Sequence, residues 1–207
     1  MKAVVLEKYG LPEQALKIRA VEKPIPTANE VLIKIRATAV NDYDWSAITG
    51  KPIIYRLLFG IFRPKNQIPG MELSGIIEQV GSNVAELKVG DEVYGDISSY
   101  GFGSFAEYIC IDARAVILKP NEMSFEQAAA LPHAALLALQ GLQDKGEMGQ
   151  DYNILINGGG GGVGTYGVQL AKLSHCKVTG VDTGEKLEMM KSIGFDHVID
   201  FKKENFI

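Results

Sequence analysis

The sequence is poor in the residues that hold metals and form disulfides: its 207 residues include two cysteines and three histidines. The cysteines, Cys110 and Cys176, are too few for a disulfide framework and are typical of a reducing compartment. The net charge of −4 and the absence of a Lys/Arg cluster argue against a nucleic-acid-binding surface. There is neither an apolar run of roughly 18 residues nor a signal-peptide pattern. We therefore expect a cytoplasmic protein with no nucleic-acid or membrane partner.

What the sequence has in quantity is glycine, 23 residues, of which six fall between residues 158 and 164. Before this stretch, residues 152–156 are a short apolar run of strand-forming residues; after it, residues 163–172 carry apolar side chains at helical spacing. Strand, glycine turn and helix in this order are the context that the dinucleotide fingerprint G-x-G-x-x-G requires. A flexible glycine linker is the alternative interpretation.

Three glycines of this stretch fit the fingerprint, and each would have its own role. Gly159 would permit the tight turn, Gly161 would let a pyrophosphate approach the backbone, and Gly164 would let the helix lie close to the strand. The phosphates would contact free N–H groups at the helix N-terminus, around Gly162 and Val163, where the helix dipole favours negative charge.

A second feature, on the strand predicted over residues 176–181, supports the same interpretation. Asp182 ends that strand 23 residues after Gly159, where an acidic residue can accept hydrogen bonds from the adenosine ribose of NAD. Its charge would repel the 2′-phosphate of NADP, although Lys186 could swing towards that phosphate and Thr183 could donate a hydrogen bond to it. We therefore expect an NAD(P)H cofactor, with a preference for NAD(H).

The first 120 residues are rich in strand patterns and contain no long helical pattern. Residues 30–39 alternate most clearly, with Val31, Ile33 and Ile35 on one face and Lys34 on the other. A loop-rich region follows them. Short strands at this spacing predict a small β-barrel or sandwich. The predicted strands are 2–7, 15–22, 30–39, 73–80, 90–95, 104–111 and 116–118.

The composition changes near residue 121. Ser124 and Gln127 form a capping box that begins an Ala-rich helix, and Pro132 begins a second helical segment that ends near Gly146. From residue 152 strands and helices alternate. The predicted organisation is therefore a β-rich domain, residues 1–121, followed by linker helices and the N-terminal half of a Rossmann dinucleotide-binding domain, residues 122–207.

Several motifs occur along the chain in order. They are 68–75 (IPGMELSG), 89–95 (VGDEVYG), 103–108 (GSFAEY), 128–132 (AAALP) and, after the glycines, 168–172 (VQLAK). With these motifs the chain resembles the medium-chain dehydrogenase/reductase superfamily over its whole length, and especially the zinc-independent quinone-oxidoreductase branch. The resemblance implies an α/β two-domain architecture: a GroES-like β-barrel catalytic domain followed by the first βαβαβ half of a Rossmann domain.

Zinc ligands are missing where zinc-dependent members of that superfamily carry them. A catalytic zinc needs three Cys, His or carboxylate ligands. The Cys-bearing motif of those members falls at residues 41–44, which are Asn-Asp-Tyr-Asp, and their Gly-His-Glu falls where this chain has Met71 in the middle. The four-cysteine lobe is also absent. We therefore expect no bound metal, which disfavours a zinc alcohol dehydrogenase.

The resemblance also indicates residues that replace the metal. Residues 41–44 line the interdomain cleft of relatives, and Tyr43 lies where zinc-dependent members carry a proton-relay hydroxyl. Asn41 would contact the nicotinamide or its ribose. Two alternatives stay open for Tyr43: a catalytic proton donor, or an aromatic side chain that only shapes the cleft.

The implied activity is that of an NAD(P)H-dependent oxidoreductase transferring hydride to a quinone or an α,β-unsaturated carbonyl, a small-molecule electron acceptor. A non-catalytic dinucleotide-binding protein of the same fold is the alternative. Because a full Rossmann domain has two halves, we expect this chain to be a truncated form that is inactive by itself. The missing half carries the dimer-forming edge of relatives, so a homodimer is open for the full-length protein.

Overall fold

The structure is a computed structural model that describes residues 1–145, 149 and 152–206. It divides into two compact units, Met1–Pro132 and His133–Ile207. The division predicted after residue 121 concerns the family domains and stays a prediction. Within the described ranges, no helix is long and apolar enough to cross a membrane.

The first unit is built on short antiparallel strands. They are β1 Lys2–Leu6, β2 Leu16–Ala20, β3 Glu30–Ala37, β4 Glu72–Val80, β5 Glu92–Asp96, β6 Tyr108–Asp112 and β7 Ile117–Leu118. Five of them form a sheet in the order β6-β3-β4-β5-β7, and β1 pairs with β2 separately. Ile33 on β3 pairs with Ile77 on β4 and with Ile109 on β6, and these residues form the buried core with Leu73 and Val93.

The helices of the first unit are short. They are α1 Pro12–Ala15, α2 Asp42–Thr49, α3 Arg56–Phe59 and α4 Phe125–Ala129, with 3-10 turns at Ile53–Tyr55, Ser98–Tyr100 and Ala113–Ala115. The prediction of loops after residue 39 is wrong for α2. This helix begins at a capping box between Asn41 and Asp44 and ends at Gly50, whose φ is 64°. Eight residues of mixed polarity show too little periodicity to reveal a helix in the sequence.

The second unit alternates helices and strands, as the sequence predicted. Its elements are α5 Pro132–Lys145, β8 Asn153–Asn157, α6 Gly162–Leu173, β9 Lys177–Asp182, α7 Leu187–Ser192 and β10 His197–Asp200. The strands form a parallel sheet in the order β10-β9-β8, which is the first half of a Rossmann fold. The helix end predicted near Gly146 lies outside the described residues.

The core of the second unit lies between its sheet and its helices. Val168 and Ala171, one helical turn apart on α6, are fully buried with Val178 on β9 and Met190 on α7. Phe195, just before β10, completes this core. The core fixes the ends of β8 and β9. The glycine-rich stretch follows β8 in the chain and is hydrogen-bonded to the end of β9.

Candidate functional site

The glycine turn, residues 157–164, is bonded to the end of β9. The N–H groups of Gly158 and Gly159 donate to the Val181 carbonyl at 2.9 and 3.0 Å, and Gly161 N–H donates to the Gly158 carbonyl at 3.0 Å. Gly158 has a φ of 79°, a left-handed conformation that favours glycine. The sequence assigned the tight turn to Gly159. The turn includes both Gly158 and Gly159, and the role of Gly159 in the cofactor site stays a prediction.

Gly159 and Gly164 lie where the structure leaves no space for a side chain. A Cβ on Gly159 would lie 2.7 Å from Met190 Cε and 3.0 Å from Phe195 Cζ. A Cβ on Gly164 would lie 2.5 Å from the Gly158 carbonyl oxygen and 2.7 Å from Gly159 Cα. Glycine at position 159 therefore lets the glycine turn lie close to the core. Glycine at position 164 lets the start of α6 lie close to the glycine turn.

Gly161 differs from both, because its surroundings are open. It is the N-cap of α6, with φ −91° and ψ 172°, which any residue can adopt. Among the described residues, a Cβ there would have one neighbour within 4 Å, the Gly158 carbonyl oxygen at 3.3 Å. The N–H groups of Gly162, Val163 and Gly164 have no acceptor within the helix and lie at its positive end. This open cradle fits the pyrophosphate of a dinucleotide.

Asp182, at the end of β9, is already engaged inside the second unit. Its Oδ2 accepts a hydrogen bond from Gly160 N–H at 2.9 Å, and its Oδ1 accepts one from Thr183 N–H at 2.8 Å. Lys186 Nζ lies 3.2 Å from Oδ1, and the side chain of Asp182 is 8% exposed. Asp182 therefore links the glycine turn, β9 and Lys186. Ribose binding by this carboxylate stays a prediction.

These donors also decide the charge of Asp182. Burial alone would raise the pKa of the carboxyl, but the Thr183 and Gly160 N–H groups and the Lys186 ammonium lower its pKa below the ordinary value. The site thus presents a carboxylate and an ammonium side by side at neutral pH. A phosphate could pair fully with Lys186 only by competing with Asp182.

In the first unit, Asn41 connects α2 to β4. Its backbone N–H donates to Asp44 Oδ2 at 2.9 Å, and its side-chain Nδ2 donates to Glu72 Oε2 at 2.6 Å. Asp44 and Glu72 are both buried. Glu72 was not among the predicted site residues, although an acidic residue between Met71 and an apolar strand is a sign of a buried, hydrogen-bonded side chain. The contact of Asn41 with nicotinamide stays a prediction.

Tyr43 belongs to an aromatic cluster on the first unit. Its ring centroid lies 5.2 Å from that of Phe59, 5.8 Å from Phe102 and 6.0 Å from Tyr55. It also lines a cleft of about 430 Å³. Burial raises the pKa of the Tyr43 phenol, and Tyr55 and Asp96 add to the rise. The phenol is therefore protonated at neutral pH, and its role as a proton donor stays a prediction.

The first unit does not fit a catalytic zinc. Met71, at the position of a zinc-binding histidine, is fully buried in the core. Within the part of the chain that the structure describes, no group of three or more His, Cys, Asp or Glu could hold a metal ion. Glu72 instead accepts the Asn41 amide. The absence of zinc from the protein stays a prediction.

Two family models match the chain. The alcohol dehydrogenase GroES-like domain matches residues 27–121, and the zinc-binding dehydrogenase family matches residues 162–207. The first match covers all five strands of the sheet β6-β3-β4-β5-β7. The second begins at α6, within the glycine turn, and includes β9 with Asp182.

Individual relatives match nearly the whole chain. The 2-methylene-furan-3-one reductase of Solanum lycopersicum is 40% identical over 100% of this chain and 53% of its own length. The quinone oxidoreductase of Coxiella burnetii superposes with a TM-score of 0.90 at 31% identity, over 100% of this chain and 64% of that one. The Escherichia coli quinone oxidoreductase complexed with NADPH has a TM-score of 0.85 at 27% identity, over 100% and 60%. The chain thus spans less than two thirds of each.

Proposed function

Because the chain belongs to the medium-chain dehydrogenase/reductase superfamily, we propose that it is part of an NAD(P)H-dependent oxidoreductase that transfers hydride to a quinone or an α,β-unsaturated carbonyl without zinc. The proposal concerns the whole protein, since the chain spans only part of its relatives. It is supported by their activities, which the names of a furanone reductase and two quinone oxidoreductases state.

The observation that carries the proposal is the open cradle at Gly161. The nicotinamide dinucleotide supplies the hydride when it is bound. Gly162, Val163 and Gly164 would hold its pyrophosphate through backbone N–H groups, and Gly161 would leave the space for it, because no side chain intervenes there. A cofactor-binding role also explains why Gly161 is a glycine although neither its φ nor its packing demands one.

For the cofactor we propose a preference for NAD(H), supported by Asp182. Two negative charges about 4 Å apart repel by roughly 4 kcal/mol near a protein surface, so Asp182 disfavours a 2′-phosphate. Lys186 reduces this repulsion, but it is already paired with Asp182 at 3.2 Å. The Escherichia coli quinone oxidoreductase is complexed with NADPH, which favours NADP(H) instead. Thr183 would donate a hydrogen bond to whichever ribose substituent is present.

For the reacting end we propose Tyr43 as the proton donor and Asn41 as a contact of the nicotinamide or its ribose. The raised pKa keeps the Tyr43 phenol protonated, and its ring faces the cleft. Glu72 holds the Asn41 amide at 2.6 Å, so this amide has a fixed orientation before any ligand arrives.

The proposal is tested with the full-length protein by following NADH and NADPH oxidation with quinones, an alkenal and an enone, and a saturated ketone as the negative control. We expect turnover with the conjugated acceptors only. Dinucleotide binding without turnover of any acceptor would overturn the proposal in favour of a non-catalytic dinucleotide-binding protein.

The role of Tyr43 is tested by Tyr43→Phe, with Tyr55→Phe as the matched control in the same aromatic cluster. Loss of a positioned proton donor lowers kcat by about 10²- to 10⁴-fold, and the ring that shapes the cleft is retained. We expect that loss in the first variant and little change in the second. Equal, small effects of both would assign Tyr43 to cleft shaping alone.

A further inference from the structure

One stretch of the first unit exposes far more apolar surface than its surroundings. The apolar segment, residues 51–65, includes six large apolar side chains that are 57–93% exposed. They are Ile53, Ile54, Leu57, Leu58, Ile61 and Phe62. Scattered exposed apolar residues are ordinary, but six within ten positions form a patch of the kind that marks an interaction surface.

The segment is held to the unit by its other side. Phe59 packs against Tyr43 and Phe102, with ring centroids at 5.2 and 5.6 Å. Tyr9 Oη donates to the Gly60 carbonyl at 2.6 Å, and Lys65 N–H donates to the Phe59 carbonyl at 2.7 Å. The aliphatic side chains are thus presented outwards by an anchored backbone.

The segment also differs in charge from the rest of the chain. Lys51, Arg63 and Lys65 are exposed and Arg56 is partly exposed, while no Asp or Glu occurs from residue 45 to residue 71. The chain as a whole has a net charge of −4. The charged side chains within the segment itself are therefore all cations, and the complementary partner is apolar and anionic.

We propose that the apolar segment docks the protein on an anionic lipid bilayer. Apolar side chains that enter the headgroup boundary and cations that pair with lipid phosphates are the two contributions to interfacial binding. A second copy of this chain would place like charges against each other across a symmetric contact. A nucleic acid would satisfy the cations but leave the apolar side chains in water.

This proposal departs from the sequence prediction of no membrane partner, which considered only spanning and targeting segments. Leu58 and Phe59 also line the cleft that contains Tyr43. Docking would therefore bring this cleft to the bilayer, where a lipophilic electron acceptor dissolves. That last step rests on the proposed function, whereas the docking itself does not.

The test is flotation of the purified protein with vesicles of phosphatidylcholine and phosphatidylglycerol, and with vesicles of phosphatidylcholine alone, without cofactor or acceptor. We expect binding to the anionic vesicles that weakens at about 1 M salt, where the Debye length is about 3 Å. Arg63→Gln with Lys65→Gln should weaken it by about 30-fold. Leu57→Ser with Phe62→Ser should weaken it by at least about tenfold.

The matched control is Ile18→Ser with Ile25→Ser, two apolar residues that are 75% and 83% exposed outside the segment. This variant should bind vesicles like the unchanged protein, and thermal unfolding should show that every variant is folded. Failure of the unchanged protein to bind anionic vesicles, or equal loss in the control, overturns the proposal. Self-association or nucleic-acid binding that Leu57→Ser with Phe62→Ser abolishes, without vesicle binding, assigns the segment to that partner instead. Activity is not measured, so failure of the proposed function cannot produce any of these outcomes.

Discussion

Single substitutions of Gly161 and Gly164, which lie within one helical turn, should separate cofactor binding from folding. Gly161→Val places a side chain in the open cradle, where its Cβ meets only the Gly158 carbonyl oxygen at 3.3 Å among the described residues. Gly164→Ala places a methyl group 2.5 Å from that same oxygen and 2.7 Å from Gly159 Cα. The first change fills space that a pyrophosphate needs, and the second fills space that the backbone already occupies.

The expected magnitudes follow from these contacts. A hydrogen bond to a charged group contributes about 1.5–3 kcal/mol, so loss of two N–H contacts to pyrophosphate weakens affinity by about 10²- to 10⁴-fold. A poor N-cap residue at position 161 destabilises the fold by about 1 kcal/mol. Overpacking at Gly164 destabilises it by about 1–3 kcal/mol or more, because both neighbours are backbone atoms that cannot rotate away.

The assay pairs titration of NADH and NADPH by fluorescence with thermal unfolding of the ligand-free protein. We expect Gly161→Val to lose affinity with a small change in melting temperature. Gly164→Ala should lower the melting temperature more, by about 4–8 °C per kcal/mol if the second unit unfolds by itself. Unchanged affinity in folded Gly161→Val would refute the cradle as the phosphate site.

Three further predictions concern single groups and the metal. Asp182 has a lowered pKa when folded, so its stabilisation is present above the ordinary value of 3.8 and is lost as pH falls through the folded pKa. The melting temperature of Asp182→Asn should therefore fall less between neutral and acidic pH than that of the unchanged protein. Burial raises the pKa of the Cys110 thiol to about 11, so iodoacetamide should alkylate it far more slowly than in denatured protein near pH 8.5, about the usual thiol pKa. Elemental analysis of chelator-washed protein should find no stoichiometric zinc; near-equimolar zinc would contradict the zinc-free assignment.

The elements of the second unit could be predicted because their causes are local. The strand-forming run of β8, the glycines and the apolar period of α6 follow one another directly in the chain, so each pattern can be read from neighbouring residues. The exact position of the reversal was not accessible. Gly158 has the left-handed conformation, and its N–H donates to the Val181 carbonyl, which lies 23 residues later on another strand.

The candidate site was less predictable for the same reason. Position 41 followed from the resemblance, but its partner Glu72 is 31 residues away and meets it only through the fold. The hydrogen bond from Gly160 to Asp182 and the ion pair between Lys186 and Asp182 also depend on the path of the glycine turn past β9. Spacing identifies an acidic residue at the right strand end, whereas the structure shows which donors already occupy it.

The position of Met190, whose Cε occupies the space that a side chain on Gly159 would need, has a consequence for oxidative chemistry. Met190 is fully buried, while its neighbour in the chain, Met189, is 38% exposed. Peroxide can reach the exposed thioether directly, but it can reach Met190 only when the second unit opens. The rate of Met189 oxidation therefore reports the reactivity of the reagent. The rate of Met190 oxidation reports how often the core beneath the glycine turn is exposed to water.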